Sequence, residues 1–330
     1  MLSVIYPPKE YWTAVPLPFT IYLTMTTTIL THGRVTWTNI TQPTQDDIDQ
    51  LSARYPQFHP LNLHDLLSEL EFPKIDHHDD YLFIVVHLPH WDKEEKISRP
   101  SEVDIFVSKG ILVTSHEGNL KPLNELFERV QTDETFREAL MGRGASPLLY
   151  DLLHKLINYC FPILQKVNQN IRHAEEHLFS QETEHILQDI ALVRRDVISL
   201  RHILRPQWDV MNALEEGNWP FIHDDLTLYW SNLGDHLAQL KAMLDEHVDV
   251  IDGLSDTIDT LASHRIDGVV RVLTFITILT APLTLMATIF GINVELLPVK
   301  YHPLLFLGVI IIGILLTLVL VVYLNRRGFL

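Results

Sequence analysis

VLTFITILTAPLTLMATIFG occupies residues 272–291, and LLFLGVIIIGILLTLVLVVYL occupies residues 304–324. Neither stretch contains an Asp, Glu, Lys or Arg. Roughly 20 α-helical residues rise about 30 Å, the thickness of a bilayer's hydrocarbon core, so each stretch is long enough to span once. The alternative is a pair of buried core helices, but soluble cores seldom hold two uncharged stretches of this length so close together. Pro282 falls inside the first stretch, where it frees one backbone carbonyl that a neighbouring helix or water has to satisfy. The intervening INVELLPVKYHP is short enough for only a tight hairpin. Arg265 and Arg271 precede the first stretch, Arg326 and Arg327 follow the second, and the loop sets Lys300 against Glu295. Bases concentrated outside the loop place both termini in the cytosol. Two helices cannot enclose a pore, so conduction would require an oligomer around a central axis.

Outward from this hairpin the character of the chain reverses. The 330 residues are 47% hydrophobic and 20% charged, with a formal charge of −17, 18 histidines and one cysteine. The apolar content excludes a disordered chain. Cys160 alone excludes a disulfide framework or a multi-thiolate zinc site. The acidic balance argues against nucleic acid, whose phosphates need clustered Lys and Arg. Residues 266–330 hold two acids and four bases, so residues 1–265 carry 40 acids against 21 bases. The first 25 residues, with Lys9, Glu10 and four prolines, offer no secretory signal.

The expected organisation is an α/β cytosolic domain at 1–146 and a helical region with a long stalk helix at 147–265. Transmembrane helices follow at 266–291 and 304–325, joined by an external loop at 292–303, with a cytosolic tail at 326–330. Residues 19–41 read as a β-hairpin around a His32-Gly33 turn, and Asp46–Leu70 as helix in pieces broken by Pro56 and Pro60. Tyr81–His90 and Val103–Thr114, the latter with a Lys109-Gly110 turn, read as strands, and Asn119–Leu140 as helix. Gly142-Arg143-Gly144 lacks the ending of a phosphate loop, and no dinucleotide fingerprint, catalytic triad spacing or kinase signature is present. An enzyme is therefore not expected. From Pro147 the pattern is helical, with interruptions expected near Pro206 and at Gly217–Pro220.

The last soluble helix, from about Asp224, carries two stripes. Leu233, Leu237, Leu240, Leu244, Val248, Ile251, Leu254, Ile258 and Leu261 recur at helical spacing as a buried face. Asp245, Asp249, Asp252, Asp256 and Asp259 are spaced to share another face, where like charges cost a few tenths of a kcal/mol per pair. A merely solvated face usually mixes in lysines, yet residues 231–264 hold seven acids and one base, Lys241. The same seam continues through Asp267, Val270, Leu273, Thr277, Ala281 and Thr284 into the first apolar stretch. An acidic seam entering a transmembrane helix predicts a cation path.

The run RVLTFITILTAPLTLMATIFGINVELLP resembles the CorA superfamily of divalent-cation transporters, whose first span closes on a Gly-Met-Asn signature. Here that position reads Gly291-Ile292-Asn293. FHPLNLHDLL and FPKIDHHDDYLFIVVHLPHW, within 58–91, are similar to the family's conserved amino-terminal segment. The resemblance implies a homopentamer in the plasma membrane, its stalk helices around a cytosolic funnel and its first spans lining the pore. Asn293 would capture hydrated cations at the outer mouth, since Mg²⁺ gives up its waters reluctantly. Val270 and Leu273 would form a hydrophobic constriction, with Thr277, Ala281 and Thr284 on further pore-facing positions. The transported ions would be Mg²⁺, Co²⁺, Ni²⁺ or Zn²⁺, with no further cofactor, and the partners a lipid bilayer and copies of the same chain.

Ile292 replaces the signature methionine, as in the superfamily's zinc-linked branch, and Asp267 replaces an asparagine typical of the Mg²⁺ branch. A ring of carboxylates at Asp267 would raise cation affinity. The regulatory carboxylate pairs of the Mg²⁺ branch are not carried over to any residue here. His77 and His78, flanked by Asp76, Asp79 and Asp80, form one possible metal site, and His173 with His177, spaced one helical turn apart, another. Both offer fewer ligands than the four a closed zinc site wants, so solvated or packing roles are the stronger expectation. Two alternatives accompany the transporter reading: a zinc transporter coupled to protons, and a membrane-anchored metal sensor that transports nothing.

Overall fold

A computed structural model describes residues 19–23, 26–68, 70–177, 183–217, 219, 227–291 and 303–326. The chain divides into two compact units, Met1–Asp252 and Gly253–Leu330.

The first unit is built on a sheet that has seven strands among the described residues. In chain order these are β1 (Phe19–Leu23), β2 (Thr27–His32), β3 (Val35–Thr41), β4 (Lys74–His77), β5 (Tyr81–Asp92), β6 (Ile97–Ser108) and β7 (Ile111–His116). Their spatial order is β1-β2-β3-β7-β6-β5-β4, antiparallel throughout except for the parallel β3–β7 pair. The expected hairpin at 19–41 is thus a three-stranded meander, and the stretch 103–114 is two strands that turn at Lys109-Gly110. Gly110 has φ +77°, and a Cβ there would meet the Arg34 carbonyl oxygen at 2.5 Å, so the turn requires glycine.

Alternation along β5 assigns the two faces of the sheet. Tyr81, Phe83 and Val85, with Phe106, Val113 and Ile40, pack under α1 (Gln45–Arg54) and α2 (Pro60–Asp65) through Ile48, Leu51, Phe58 and Leu63. Phe58 stacks on Phe106 with ring centroids 4.4 Å apart. α1 starts at a capping box in which Thr44 and Asp47 cap each other, and Asp47 also accepts bonds from Thr26 and Thr27. On the other face, Trp37 meets Phe127 of α3 (Lys121–Thr132) edge-on and donates its indole N–H to Thr114 at 3.0 Å.

α4 (Glu134–Met141), capped by Asp133, leads into α5 (Ala145–His177) and α6 (Thr183–Glu216). α6 is fastened to β6 by two short bonds. Asp196 accepts the Ser98 backbone N–H at 2.6 Å, and the Ser199 hydroxyl donates to the Ser98 carbonyl at 2.5 Å. The interruption expected near Pro206 does not occur: α6 continues through it. An interior proline costs about 3 kcal/mol, and burial of a side chain such as Leu or Val returns about 1.5–3 kcal/mol. Ile203, Leu204, Val210 and Met211 are all buried around Pro206, so packing prevails there.

α7 (Thr227–Gly291) is one continuous helix that also carries Pro282 inside it. In the first unit its apolar stripe Leu233, Leu237, Leu240, Leu244 and Ile251 is buried. It meets α5 where His236 bonds Asn158 and Tyr150 bonds Asn232, and α6 where Arg194 pairs with Asp252 at 3.1 Å.

The second unit comprises the rest of α7 and α8 (Pro303–Arg326). Phe275 and Leu279 of α7 face Ile314, Thr317, Leu318 and Val321 of α8 across an apolar crevice of about 240 Å³. Among the described residues, no helix is long and apolar enough to cross a membrane. Several side chains of both apolar stretches, Leu283, Met286, Ile289 and Phe290 among them, lie outside that set.

Candidate functional site

α7 positions the residues of the predicted cation path. At about 100° per residue, Asp256, Asp259, Asp267, Val270, Leu273, Thr277, Ala281 and Thr284 fall within an arc of about 120°. All eight are exposed. Phe275 and Leu279, which meet α8, lie about 140–180° from the middle of that arc. The face is therefore turned away from the neighbouring helix, and its members are exposed among the described residues. In the first unit, Asp245, Asp249 and Asp252 share a narrower arc of about 60° and are likewise exposed. They are not equivalent, because Asp252 is held by Arg194.

Helix geometry adds three residues that the sequence reading passed over. Ser263, Thr274 and Thr288 fall on the same arc and are exposed. Their spacing of four residues from Asp259, Val270 and Thr284 is the signal that would have found them.

The hydroxyls have a definite polarity. Thr274 donates to the Val270 carbonyl at 2.7 Å, Thr277 to Leu273 at 2.9 Å, Thr284 to Thr280 at 2.8 Å and Thr288 to Leu285 at 2.7 Å. Each hydroxyl proton is thus spent on its own helix, as Ser and Thr commonly spend it. What remains outward at each Oγ1 is lone pairs, which accept from water or face a cation. The carboxylates thus lie toward the amino-terminal end of this face and the acceptor oxygens toward its carboxyl-terminal end.

Gly291 is the last residue of α7. Ile292 and Asn293 lie outside the described residues.

The histidine pairs are placed as follows. His77 contacts Trp219 with ring centroids 5.0 Å apart, whereas His78 stacks on Tyr81 at 4.4 Å and bonds Asn62 at 2.8 Å. Burial, then the neighbouring His59, holds His78 below the usual imidazole range. His173 and His177 stack at 4.4 Å, and His177 Nδ1 lies 2.9 Å from the His173 carbonyl oxygen. Among the described residues, no group of three or more His, Cys, Asp or Glu side chains could hold a metal ion.

Comparison with known proteins agrees with this architecture. Residues 32–327 match the family model described as CorA-like Mg²⁺ transporter protein. The chain is 27% identical over 263 residues to the cobalt/magnesium transport protein CorA of Thermotoga maritima, covering 80% of this chain and 74% of that protein. It is 20% identical over 233 residues to the zinc transport protein ZntB of Yersinia pseudotuberculosis, covering 71% and 69% respectively. The complete structure of the CorA magnesium transporter from Methanocaldococcus jannaschii superposes with a TM-score of 0.76 at 20% identity, covering 91% of this chain and 92% of that one. The α/β domain followed by a long helix is thus a fold shared with solved members.

Proposed function

The chain belongs to the CorA-like Mg²⁺ transporter family, and from that premise we propose that it carries divalent cations across the plasma membrane through the centre of a homopentamer. The observation that carries this reading is the oxygen-bearing face of α7 described above, exposed and pointing away from α8. A closed ring of copies turns such faces toward one axis, where each carboxylate or hydroxyl is repeated around the path. In this reading 272–291 and 304–324 cross the bilayer and both termini lie in the cytosol. The large apolar side chains exposed elsewhere on this unit, such as Val269 at 69% and Val319 at 64%, meet lipid or neighbouring copies.

An arriving cation first meets Gly291-Ile292-Asn293, where amide and backbone oxygens bind its water shell. It then passes the acceptor oxygens of Thr284 and Thr277 and the constriction at Leu273 and Val270. Asp267 and the acidic seam of Asp259, Asp256, Asp252, Asp249 and Asp245 draw it toward the cytosol. A potential of 100 mV contributes about 4.6 kcal/mol to the inward movement of a doubly charged ion, so no other driving force is required. Ile292 and the zinc-transporting relative keep Zn²⁺, with proton coupling, as the second reading.

Flux into liposomes containing the purified full chain tests both. Mg²⁺, Co²⁺, Ni²⁺ and Zn²⁺ are supplied singly, with and without a proton gradient. Uptake that needs no gradient and falls in Asn293→Ala is expected. Uptake that is indifferent to Asn293→Ala removes the assigned mouth, and Zn²⁺ uptake confined to an imposed gradient establishes the second reading.

A further inference from the structure

Where β5 and β6 meet α5 and α6, the first unit holds a groove that the cation path does not use. Two cavities, of about 410 and 280 Å³, lie side by side there and share Trp91, Asn170 and Asp196 in their linings. Small-molecule sites commonly measure about 300–1,000 Å³. The larger cavity is walled by Trp91 of β5 and by Tyr159, Pro162, Ile163 and Val167 of α5. Their spacing of three or four residues, continued by Lys166 and Asn170, sets the α5 members on one face of that helix. The large apolar residues of β5 from Tyr81 to Leu88 are buried, whereas Trp91 remains 49% exposed. A single exposed indole is ordinary, but one that walls an apolar groove offers a stacking face.

The charges around the groove are biased. Asp92 and Glu95 are both engaged by Arg99, and Glu95 also by Arg195. Asp196 is spent on the Ser98 N–H. The linings then retain Lys166 in the larger cavity, and Lys96, with His173 and Asp189, in the smaller. Among the described residues, the ion pairs that lysines make belong to Lys74 and Lys121. Two lysines against one further carboxylate run counter to a chain of 42 acids and 25 bases.

We propose that this groove binds a small planar aromatic anion, its ring stacked on Trp91 against the α5 face and its anionic group met by Lys166 and Lys96. The apolar wall supplies the contact area, and stacking on an aromatic side chain tolerates any flat ring. The ammonium groups select for an anion and against an aromatic cation. The smaller cavity, with Asn170 and His173, receives the polar remainder of the ligand. Nucleoside monophosphates and aryl carboxylates share this chemistry. Because Trp91 and Ser98 belong to strands and the other walls to α5 and α6, an occupant clasps both helices to the sheet beside the Asp196–Ser98 bond.

Isothermal titration calorimetry on the purified full chain, in buffer without divalent cations, tests this. Adenosine monophosphate and indole-3-acetate are the probes, with adenosine and indole-3-acetamide as their uncharged counterparts. At least one anion is expected to bind with Kd below about 1 mM, and at least tenfold more tightly than its counterpart. The anion that binds identifies the source, nucleotide or aryl carboxylate, and binding of both establishes the shared class. Trp91→Ala is expected to weaken binding by about tenfold or more. Lys166→Gln with Lys96→Gln is expected to erase the preference for the anion while leaving the uncharged counterpart unaffected. Trp91, Lys166 and Lys96 are all exposed, so these variants keep the fold. Absence of binding by both anions, equal binding of the uncharged counterparts, or wild-type affinity in Trp91→Ala or in the double lysine variant overturns the site.

Discussion

Asp196→Ala cuts the tie between α6 and the sheet, and its cost follows from the geometry. Ser98 is 1% exposed and Asp196 5%, so removing the carboxylate leaves the buried Ser98 N–H without the acceptor it bonds at 2.6 Å. Orphaning a buried N–H costs about 1–3 kcal/mol, toward the upper end where the lost partner was ionised. Burial itself holds the Asp196 carboxyl above its usual range, against the pull of the Ser98 bonds, so part of the gain is already spent on desolvation. The expected loss is therefore about 2 kcal/mol, or roughly a 30-fold faster local opening. Asp196→Asn keeps an acceptor oxygen at the same place and is expected to recover about half of that. Ser199→Ala removes only the neutral bond to the Ser98 carbonyl and should cost about 1 kcal/mol. Hydrogen exchange in peptides that span Ser98 and begin several residues before it reads the local effect, and thermal unfolding of the full chain reads the global one. If Asp196→Ala and Asp196→Asn behave alike, or neither accelerates exchange at Ser98, the bond contributes nothing and the argument fails.

Three further outcomes are expected. Burial alone would raise the Asp47 carboxyl, but bonds from Thr27, Thr44 and Thr26 hold it below the usual 3.8, so its contribution is present at neutral pH and is lost as pH falls below about 4. An acid titration of unfolding stability should be less steep there for Asp47→Asn than for wild type, and equal slopes would contradict this. Gly33→Ala (φ +59°, open space around the added Cβ) should cost about 1–2 kcal/mol, and Gly110→Ala distinctly more, because its Cβ also meets the Arg34 carbonyl. Thermal unfolding that ranks the two the other way refutes the turn argument. Thr277→Val and Thr284→Val delete outward oxygens while leaving the backbone ladder intact, so they should reduce divalent uptake and shift stability by less than about 0.5 kcal/mol. Uptake at the wild-type rate would exclude these hydroxyls from the path.

The sequence was most informative where one physical signal dominated. Tyr81–His90 reads as a strand because nothing but a sheet buries YLFIVV on both faces, and β5 indeed starts at Tyr81. The ladder runs on, however, through a Pro89–Pro100 pair to Asp92 and Ile97. Proline lacks a ladder N–H, so the reading stopped at His90 and resumed only at Val103. β4 is four residues long and half-exposed, too short for any periodicity. Pro206 misled in the opposite direction: it reads as a break, but buried neighbours on both sides keep α6 whole. Of the candidate path, the acidic and apolar members were legible from spacing, whereas Thr274 and Thr288 were read as part of the apolar stretch.

The continuity of α7 has a consequence for how this chain can vary. Between Asp259 and Asp267 the helix is unbroken, so every inserted or deleted residue rotates all that follows by about 100°. A single insertion after Ser263 would leave composition, charge and hydropathy almost untouched, yet swing Asp267 and the threonines toward the flank while Asp256 and Asp259 stayed in place. Two separately tolerable halves would then be out of phase, like a key cut correctly on a twisted shank. Changes of seven residues, close to two full turns, restore the alignment to within about 20°. Length in this segment is therefore constrained more tightly than residue identity, and the constraint is on angle.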